Sequence, residues 1–325
     1  MSPLAIAKKA KDYWPDIMDE PLLIMHRENA VFRIELARGT AALRIHRPGY
    51  HKRDEIVSEL EWMAHLSTNG LELPTPIPNC NGEFISEITD NDGTGHVVDL
   101  LTWVEGAPLG RSDVPLAFNK HELHGIFQDI GRNLARLHAL SDSWNRPAGF
   151  RRHHLNNEGL LGENATWGQF WKASVLSTNE KALMQKVRQR AGEKMDVLSA
   201  AGADYGLIHA DLVRENIFVQ GGKTRFIDFD DAGFGFRMFD LAVALVKNRQ
   251  EPHYDTIKSA LFSSYKSHRP ITASDEDSLG LFLALRDFAY LGWADARRAE
   301  PTLAPRIEKI RQDTLAAAEQ FLAEK

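Results

Sequence analysis

Short apolar segments in the first third of the chain predict a group of β-strands. Residues 21–36 form two such segments around a polar turn from His26 to Asn29, and residues 39–47 form a third. Residues 82–88 and 95–106 form two more, which are joined by a stretch rich in Asp, Gly and Thr. Short apolar runs bounded by turn residues are typical of strands. We therefore predict a β-rich N-terminal region.

One segment in this region has helical spacing instead. Residues 53–67 place apolar side chains three or four positions apart, so that they would form one buried face of a helix. These side chains are Ile56, Leu60, Met63 and Leu66. The N-terminal region is therefore expected to contain one main helix among its strands.

After Gly106 the pattern becomes mainly helical. Residues 121–140 carry an apolar stripe at helical spacing, and residues 169–200 also predict a helix. Helical character returns from Met238 to the end of the chain. The sequence SDED at 274–277 has the spacing of a capping box and is predicted to open a long helix through Ala296. A proline at position 305 is predicted to begin the last helix.

These patterns predict an α+β protein with two lobes. We assign residues 1–103 to a β-rich N-terminal lobe and residues 104–325 to a larger, mainly helical C-terminal lobe. The segment WVEGAPLG, residues 103–110, is the predicted hinge. Two short apolar segments, within residues 206–219 and 224–235, interrupt the helical half.

Composition narrows the classes of partner. The chain has 325 residues, 43% of them hydrophobic and 26% charged, with a formal net charge of −6 and no basic block, which disfavours nucleic acid as a partner. A single cysteine, Cys80, indicates a reducing compartment. No stretch approaches the about 18 apolar residues of a membrane span, and the N-terminus lacks a signal-peptide pattern. We expect a cytoplasmic protein that does not contact membranes.

The two short segments within residues 206–219 and 224–235 contain candidate catalytic and metal-binding residues. In GLIHADLVRENIFV, Asp211 and Asn216 lie five positions apart in a loop between two apolar segments, and Asp228 follows the next apolar segment. A hairpin through QGGK would bring Asp228 beside Asn216. An Asp accepts a proton from a hydroxyl, while a carboxylate and an amide oxygen suit Mg²⁺. Polar turns would also explain each residue singly, but the set matches the needs of phosphoryl transfer.

The same residues resemble a known family. HADLVRENIF is similar to the catalytic loop of the protein-kinase-like fold, and more narrowly to the aminoglycoside phosphotransferase and choline kinase branch. FIDFDDAGFG, MFDLAVAL and NLARLHAL resemble that branch's metal-binding segment, the helix after it and the helix before the catalytic loop. ENAVFRIEL, AALRIHRPGY, SELEWMAHL and DLLTWVEG follow in the family's order. The resemblance covers roughly residues 20 to 300.

The resemblance implies an ATP- and Mg²⁺-dependent kinase and assigns roles in the catalytic loop. Asp211 would be the catalytic base or hydroxyl-positioning carboxylate, and Asn216 and Asp228 would hold Mg²⁺. His209 would brace the loop, and Asp240 would anchor it through backbone N–H groups.

The resemblance also implies a nucleotide site in the N-terminal lobe. Arg44 stands where the family usually has the lysine that contacts the nucleotide phosphates. The replacement of lysine by arginine keeps the positive charge but changes the shape of the side chain. Glu59 is the best candidate for its helix partner, with Glu61 second; a surface arginine is the alternative. A glycine-free turn, MHRENAV, would cover the phosphates, and adenine would contact the hinge at Thr102, Trp103 and Val104.

The acceptor residues are less defined. Asp230 is a candidate for contact with substrate, with Asp231 as its alternative, and both would also suit a solvated turn. In the helix predicted before residue 296, Arg286, Tyr290 and Trp293 lie near one face. An aromatic pair would hold an ammonium group and an arginine a carboxylate, as in homoserine, although such a stripe is also typical of core.

Other functions remain open on the sequence alone. The acceptor could be a protein Ser or Thr, but the short AGFGFRMFDLA segment leaves little room for the platform that protein kinases use. A nucleotide-binding protein without turnover is favoured only by Arg44. A phosphatase using DFDDA as an Asp-x-Asp motif lacks the expected following residue. Amino alcohols, hydroxy amino acids, aminoglycosides and sugars are all candidate acceptors, and the oligomeric state is open.

Overall fold

The computed structural model describes residues 2–26, 29–90, 92–301 and 303–324. The chain divides into two compact units, each built from several segments. The first unit comprises Met1–Ala107, Ser143–Arg152 and Arg225–Asp230, and the second comprises Pro108–Asp142, His153–Thr224 and Asp231–Lys325. The lobe boundaries at 1–103 and 104–325 stay a prediction.

The first unit is built on a five-stranded sheet with the order β1-β2-β3-β5-β4, in which every paired neighbour is antiparallel. The strands predicted within residues 21–47 and 82–106 are confirmed. In chain order the elements are α1 (Pro3–Lys9), β1 (Leu22–His26), β2 (Ala30–Leu36), β3 (Gly39–Ile45), α2 (Arg53–Thr68), β4 (Ile85–Thr89) and β5 (Gly95–Thr102).

The sheet forms because its strands alternate between a buried and a more exposed face. Along β2, Ala30, Phe32, Ile34 and Leu36 are buried, and the residues between them are not. Helix α2 buries the four apolar side chains predicted to do so. Its start is stabilised because Glu55 accepts a hydrogen bond from the Lys52 backbone N–H at 2.8 Å.

The second unit is mainly helical. The elements that follow β5 in the chain are β6 (Ala107–Pro108), α3 (Lys120–Ser143), β7 (His154–Leu155), α4 (Asn157–Leu161), α5 (Thr178–Ala200), β8 (Tyr205–Ile208), β9 (Ile217–Gln220), β10 (Lys223–Phe226), β11 (Gly233–Phe236), α6 (Arg237–Val246), α7 (Tyr254–His268), α8 (Ala273–Asp277), α9 (Leu279–Ala296) and α10 (Ile307–Ala323). Short 3₁₀ helices span Ala10–Asp12, Phe170–Lys172, Arg214–Asn216 and Ala304–Arg306.

Helix α6 lies at the centre of the second unit. All ten of its residues are buried, including two charged residues, Arg237 and Asp240. It follows β11 directly, and β11 pairs antiparallel with β8 from Gly233–Ile208 to Phe236–Tyr205. The loop that leaves β8 at Ile208 is therefore fixed at its start by the sheet.

Two helix predictions need correction. The helix predicted over 169–200 begins only at Thr178, because Ser177 and Glu180 form a reciprocal capping box there. The box predicted within 274–277 lies instead at Thr272, whose side chain accepts from the Asp275 backbone N–H at 3.1 Å. It opens the short α8, and the long helix α9 starts separately at Leu279. Helical periodicity alone does not show such breaks.

One predicted turn cannot be compared with the structure. The turn from His26 to Asn29, and with it the phosphate-covering segment 25–31, includes residues 27 and 28, which lie outside the described residues.

In the part of the chain that the structure describes, no helix combines the length and apolar character needed to cross a bilayer.

Candidate active site

The loop after β8 has a constrained backbone. Ala210 adopts a left-handed conformation with φ of 69°, which is unusual for a residue with a side chain. The Asp240 carboxylate stabilises it by accepting hydrogen bonds from the His209 N–H at 2.9 Å and the Ala210 N–H at 2.6 Å. His209 is fully buried, and its Nδ1 accepts from the Asp211 N–H at 3.3 Å. The predicted bracing by His209 and anchoring by Asp240 are confirmed.

Asp240 is itself held in a fully buried hydrogen-bond chain. His138 Nε2 lies 3.0 Å from Asp240 Oδ2, and His138 Nδ1 lies 2.7 Å from the Tyr265 hydroxyl. Burial raises the pKa of Asp240 to about 6, although the two backbone N–H donors oppose the shift. Burial also lowers the pKa of His138 well below its usual value. The anchor of the loop is thus a rigid internal network rather than a solvated turn.

The loop presents Asp211 and Asn216 to each other. Asn216 Nδ2 donates to the Asp211 backbone oxygen and to Asp211 Oδ2, both at 2.9 Å. Both donors of the amide therefore point at Asp211, which leaves the amide oxygen as the group available to a cation. Burial raises the pKa of Asp211 to about 7, against the opposing effect of Arg286.

The residues between Asp211 and Asn216 tie the loop to the rest of the second unit. The buried Arg214 guanidinium donates to Asn248 Oδ1 at 2.9 Å and to Glu251 Oε1 at 2.5 Å. Glu215 accepts from the Ser112 N–H and hydroxyl, each at 2.7 Å. These contacts fix the spacing of Asp211 and Asn216.

A cationic and aromatic cluster lies against Asp211. Arg286 Nη2 donates to Asp211 Oδ1 at 2.5 Å. The Arg286 guanidinium also lies 5.6 Å from the Trp167 ring centroid and 6.0 Å from that of Tyr290. Trp167 Nε1 donates to Asp231 Oδ1 at 3.2 Å. The structure thus brings the predicted Arg286 to Asp211 and places the predicted Tyr290 beside Arg286.

Trp293 lies one step further along α9. Its ring stacks on that of Tyr290 with a centroid separation of 5.6 Å. The Arg297 guanidinium lies over the Trp293 ring, 4.7 Å from its centroid. Trp293 is half-buried, and its ring contacts in the described residues are with Tyr290 and Arg297. Its substrate role stays a prediction.

The first unit contains a separate buried charge cluster around Arg44. Arg44 Nε and Nη2 donate to the two oxygens of Asp99 at 3.0 and 2.8 Å, and Nη1 donates to Glu59 at 2.9 Å. His46 Nε2 lies 2.5 Å from Asp99 Oδ2. The predicted pairing of Arg44 with Glu59 is confirmed, and the alternative of a surface arginine is wrong because Arg44 is buried.

Asp230 belongs to the same unit and lies in its interior. Its carboxylate is 3.6 Å from His51 Nε2, and its backbone oxygen accepts from Arg152. Burial opposes ionisation, but the nearby His51, with further contributions from His46 and Arg44, holds the pKa of Asp230 below its usual range. Asp230 is 6% exposed, so the structure places its carboxylate toward His51, while Asp231 lies in the second unit beside Trp167.

The candidate metal ligand Asp228 has an unusual backbone. Its φ is 64°, a left-handed conformation that costs free energy in a residue with a side chain and that clusters at functional sites. The next residue, Phe229, is fully buried and packs edge-on against Trp62 with a centroid separation of 5.4 Å. This packing holds the segment in place.

Asn216 in the second unit and Asp228 in the first each offer an oxygen of the kind that Mg²⁺ prefers, an amide oxygen and a carboxylate oxygen. Among the described residues, no group of three or more His, Cys, Asp or Glu side chains could hold a metal ion alone. The role of Asn216 and Asp228 as metal ligands stays a prediction.

The predicted hinge residues lie at the end of β5 and just after it. Thr102 N–H donates to the Thr75 backbone oxygen at 2.9 Å, and the Trp103 N–H donates to the Thr40 oxygen at 3.3 Å. Arg33 lies 5.7 Å from the Trp103 ring centroid. Trp103 and Val104 are half-buried, so contact with adenine stays a prediction.

Sequence reasoning missed several residues of these clusters. Asp99 lies inside an apolar strand, and a charged residue in such a strand was the signal that could have identified it as a partner of Arg44. Trp167 and Arg214 gave no such signal, because the contacts that define them come from distant parts of the chain.

Comparisons with known proteins agree with this geometry. Residues 24–271 match the Phosphotransferase enzyme family. The structure of a microcompartment-associated aminopropanol kinase is 30% identical, covers 98% of this chain and 97% of that chain, and superposes with a TM-score of 0.84. A homoserine kinase of Sinorhizobium medicae is 27% identical over 274 residues, 80% of this chain and 74% of that protein.

A second solved structure shows the same fold at lower identity. It is amicoumacin kinase hAmiN in complex with AMP-PNP, Ca²⁺ and Ami, which is 18% identical, covers 97% of this chain and 94% of that chain, and has a TM-score of 0.79.

The fold and the site therefore define a kinase of the protein-kinase-like class that acts on small molecules. The chain belongs to the Phosphotransferase enzyme family. The predicted family, the α+β fold class and the transfer of phosphate to the hydroxyl of a small metabolite are confirmed.

Proposed function

We propose that the protein uses ATP and Mg²⁺, and that Asp211 is the base that receives the proton of the acceptor hydroxyl. The observation that carries this proposal is the catalytic loop itself. Asp240 holds two successive backbone N–H groups, and Asn216 donates to the Asp211 carboxylate at 2.9 Å. A rigidly held carboxylate is what positioning of a hydroxyl nucleophile requires.

The proposed reaction is a single displacement. The acceptor oxygen forms a bond to the γ-phosphorus of ATP, and the bond between that phosphorus and the β,γ-bridging oxygen breaks. ADP leaves with the electron pair, and the hydroxyl proton passes to Asp211. Bound Mg²⁺ would supply charge neutralisation for the phosphates. Asn216 and Asp228 are proposed to hold it, and the nucleotide and Ca²⁺ in the amicoumacin kinase structure support a divalent cation here.

Arg44 and Glu59 are proposed to shape the nucleotide site of the first unit, with Thr102, Trp103 and Val104 beside the adenine. Arg44 uses three of its five N–H donors on Asp99 and Glu59, which leaves donors for phosphate oxygens. Asp99 and Glu59 thus fix the orientation of the guanidinium, and the departure from lysine is compensated by the forked contact with Asp99.

The acceptor is proposed to be a small hydroxylated molecule, with Arg286 and Tyr290 in its site. Helix α6 begins at Arg237, directly after β11, so the stretch from Asp228 holds no extended platform for a peptide. The homoserine and aminopropanol kinases among the similar proteins support small amino alcohols and hydroxy amino acids as candidates.

ADP release in the presence of ATP and Mg²⁺ tests the proposal. The panel would contain homoserine, choline, ethanolamine, hydroxylysine, several aminoglycosides and simple sugars, with a Ser/Thr-containing peptide mixture as the competing acceptor. We expect one class of small acceptor to stimulate ADP release. Stimulation by the peptides alone would contradict the proposal.

A further inference from the structure

The aromatic rings near Asp211 already carry cations of the protein itself. Lys247 Nζ lies 4.6 Å from the Tyr290 ring centroid, and Arg286 lies 5.6 Å from that of Trp167. Arg297 lies 4.7 Å from the centroid of Trp293. A substrate ammonium group would have to compete with these cations for the ring faces and would be repelled by them. The cluster therefore does not resemble a cage built for a cationic acceptor.

Lys247 stands out among these cations. It follows the last residue of α6, its side chain is half-buried, and within the described residues its ammonium group makes no hydrogen bond and no ion pair. Burial lowers the pKa of Lys247, Asp287 opposes the shift, and the positive charge of Arg286 adds to it. A partly desolvated ammonium group beside a second cation is unfavourable unless an anion is present.

Arg286 also has unused donor capacity. Its Nη2 donates to Asp211, but its Nε is buried and has no hydrogen-bond partner in the described part of the chain. The other arginine nearby, Arg249, is paired with Asp287 at 2.5 Å. Asp287 is therefore already engaged, and the donors left for a ligand are those of Lys247 and Arg286.

We propose that Lys247 and Arg286 form the binding site for an anionic group of the acceptor, a carboxylate or a phosphate. The inference rests on the proposed function, because it places this site beside Asp211 as the base. Lys247 and Arg286 both contact Tyr290, at 4.6 and 6.0 Å from the ring centroid, so the two cations converge on one side chain. An anion that bridges them would satisfy both.

The proposed anion site lies directly beside Asp211. Arg286 Nη2 contacts Asp211 Oδ1 at 2.5 Å, so an acceptor whose anionic group binds Arg286 is held next to that carboxylate. Acceptors with the anionic group are therefore expected to bind more tightly and to be better positioned.

Matched acceptors that differ only in the anionic group provide the test. Threonine and 1-aminopropan-2-ol differ by a carboxylate, as do homoserine and 3-aminopropan-1-ol, while glycerol 3-phosphate and glycerol differ by a phosphate. Wild-type kcat/KM is expected to be at least about tenfold higher for the anionic member of one pair, since a charge-assisted contact has a large effect. The pair that shows the ratio distinguishes a carboxylate from a phosphate.

Two variants assign the ratio to the proposed residues. Lys247→Met and Arg286→Met are expected to bring the ratio close to one, whereas Lys186→Met, which changes an exposed lysine, should leave it unchanged. Calorimetric binding of the same pairs gives the comparison independently of turnover, and a melting curve of each variant shows whether it is folded. Equal or better use of the uncharged members by the wild type, or no binding of any anionic member, would overturn the inference.

The two proposals fail in different ways. If the wild type phosphorylates the amino alcohols and ignores the anionic compounds, the kinase function stands and the anion site is wrong. If the anionic compounds bind through Lys247 and Arg286 but no acceptor on any panel stimulates ADP release, the anion site stands and the proposed function is wrong.

Discussion

The two units each contain an arginine paired with carboxylates, but the two clusters differ in how completely they are sealed. In the first unit the Arg44 side chain is 7% exposed, and those of Asp99 and Glu59 are 0% exposed. In the second unit the side chains of Arg286 and Asp211 are 13% and 21% exposed. The first cluster is nearly closed to solvent, with exposure left only at Arg44, whereas the second is more accessible.

The difference also appears in the pKa values of the carboxyl groups. Burial opposes ionisation of Asp99, but Arg44 and His46 outweigh it and hold its pKa below the usual range. Burial dominates at Asp211 and raises its pKa to about 7 despite Arg286. A carboxylate that is fully paired stabilises the fold, whereas one that is buried and incompletely paired retains the capacity to accept a proton. The same residue types are thus fully ion-paired in one unit and, in the other, include a carboxyl group that retains the capacity to accept a proton.

The largest expected effect concerns Asp211. Asp211→Asn keeps the shape of the side chain but removes the base, so kcat for the acceptor is expected to fall by about 10²- to 10⁴-fold. Thermal unfolding should change little, because the charge of Asp211 is already opposed by burial. The measurement is acceptor-stimulated ADP release beside a melting curve. Asp277→Asn, at an exposed position on α8, is the matched control, and an equal loss in both variants would contradict the distinction.

For Arg44, in contrast to Asp211, the main expected effect of substitution is a loss of stability. Arg44→Met leaves Asp99 and Glu59 buried without their partner, which should lower the free energy of unfolding by about 3–5 kcal/mol. Urea unfolding measures this loss. Arg33→Met changes an exposed arginine on the neighbouring strand β2 and should have little effect. Arg44→Lys keeps the charge but loses the fork to Asp99, so we expect an intermediate loss of stability; a gain in rate would show that the native arginine impairs the enzyme.

A third prediction concerns the metal. Asn216→Ala removes a proposed ligand, so the Mg²⁺ concentration for half-maximal activity should rise by at least about tenfold, the scale seen when groups around a metal are removed. Chelation with EDTA should abolish activity in the wild type, and added Mg²⁺ should restore it. Asn145→Ala at an exposed position is the control. An unchanged Mg²⁺ requirement in Asn216→Ala would remove this residue from the site.

The smallest expected effect concerns the anchor of the catalytic loop. Asp240→Asn leaves one oxygen for the two N–H groups of His209 and Ala210, so one buried donor loses its partner at a cost of about 1–3 kcal/mol. Activity should be reduced but not abolished, because the loop becomes less ordered while Asp211 itself is retained. Hydrogen exchange at the Ala210 amide would detect the loosening, with the exposed Asp255→Asn as control. Unchanged exchange would show that the loop is held elsewhere.

The sequence predicted local features well because they depend on local patterns. The strands of the first unit, the buried face of α2 and the spacing of Asp211 and Asn216 could all be read from apolar runs and fixed offsets. The start of α5 was missed because the cap at Ser177 overrides a helical pattern that extends further back. Boundaries of this kind depend on single hydrogen bonds.

The parts of the site that could not be predicted depend on contacts between distant residues. The fork between Arg44 and Asp99 joins β3 to β5, and the hydrogen bond from Trp167 to Asp231 joins positions far apart in the chain. Lys247 gave no signal, since a lysine after a helix is typical of a solvated end. Such contacts are set by tertiary packing, which one sequence does not display.

The most direct test of the central claim is the identity of the phosphorylated product. We would follow the reaction of ATP, Mg²⁺ and the most stimulating acceptor by ³¹P NMR. The account predicts a phosphomonoester resonance, coupled to the carbinol protons of the acceptor, that grows in step with ADP. Growth of inorganic phosphate alone would show that water is the nucleophile and would contradict a kinase in which Asp211 activates an acceptor hydroxyl.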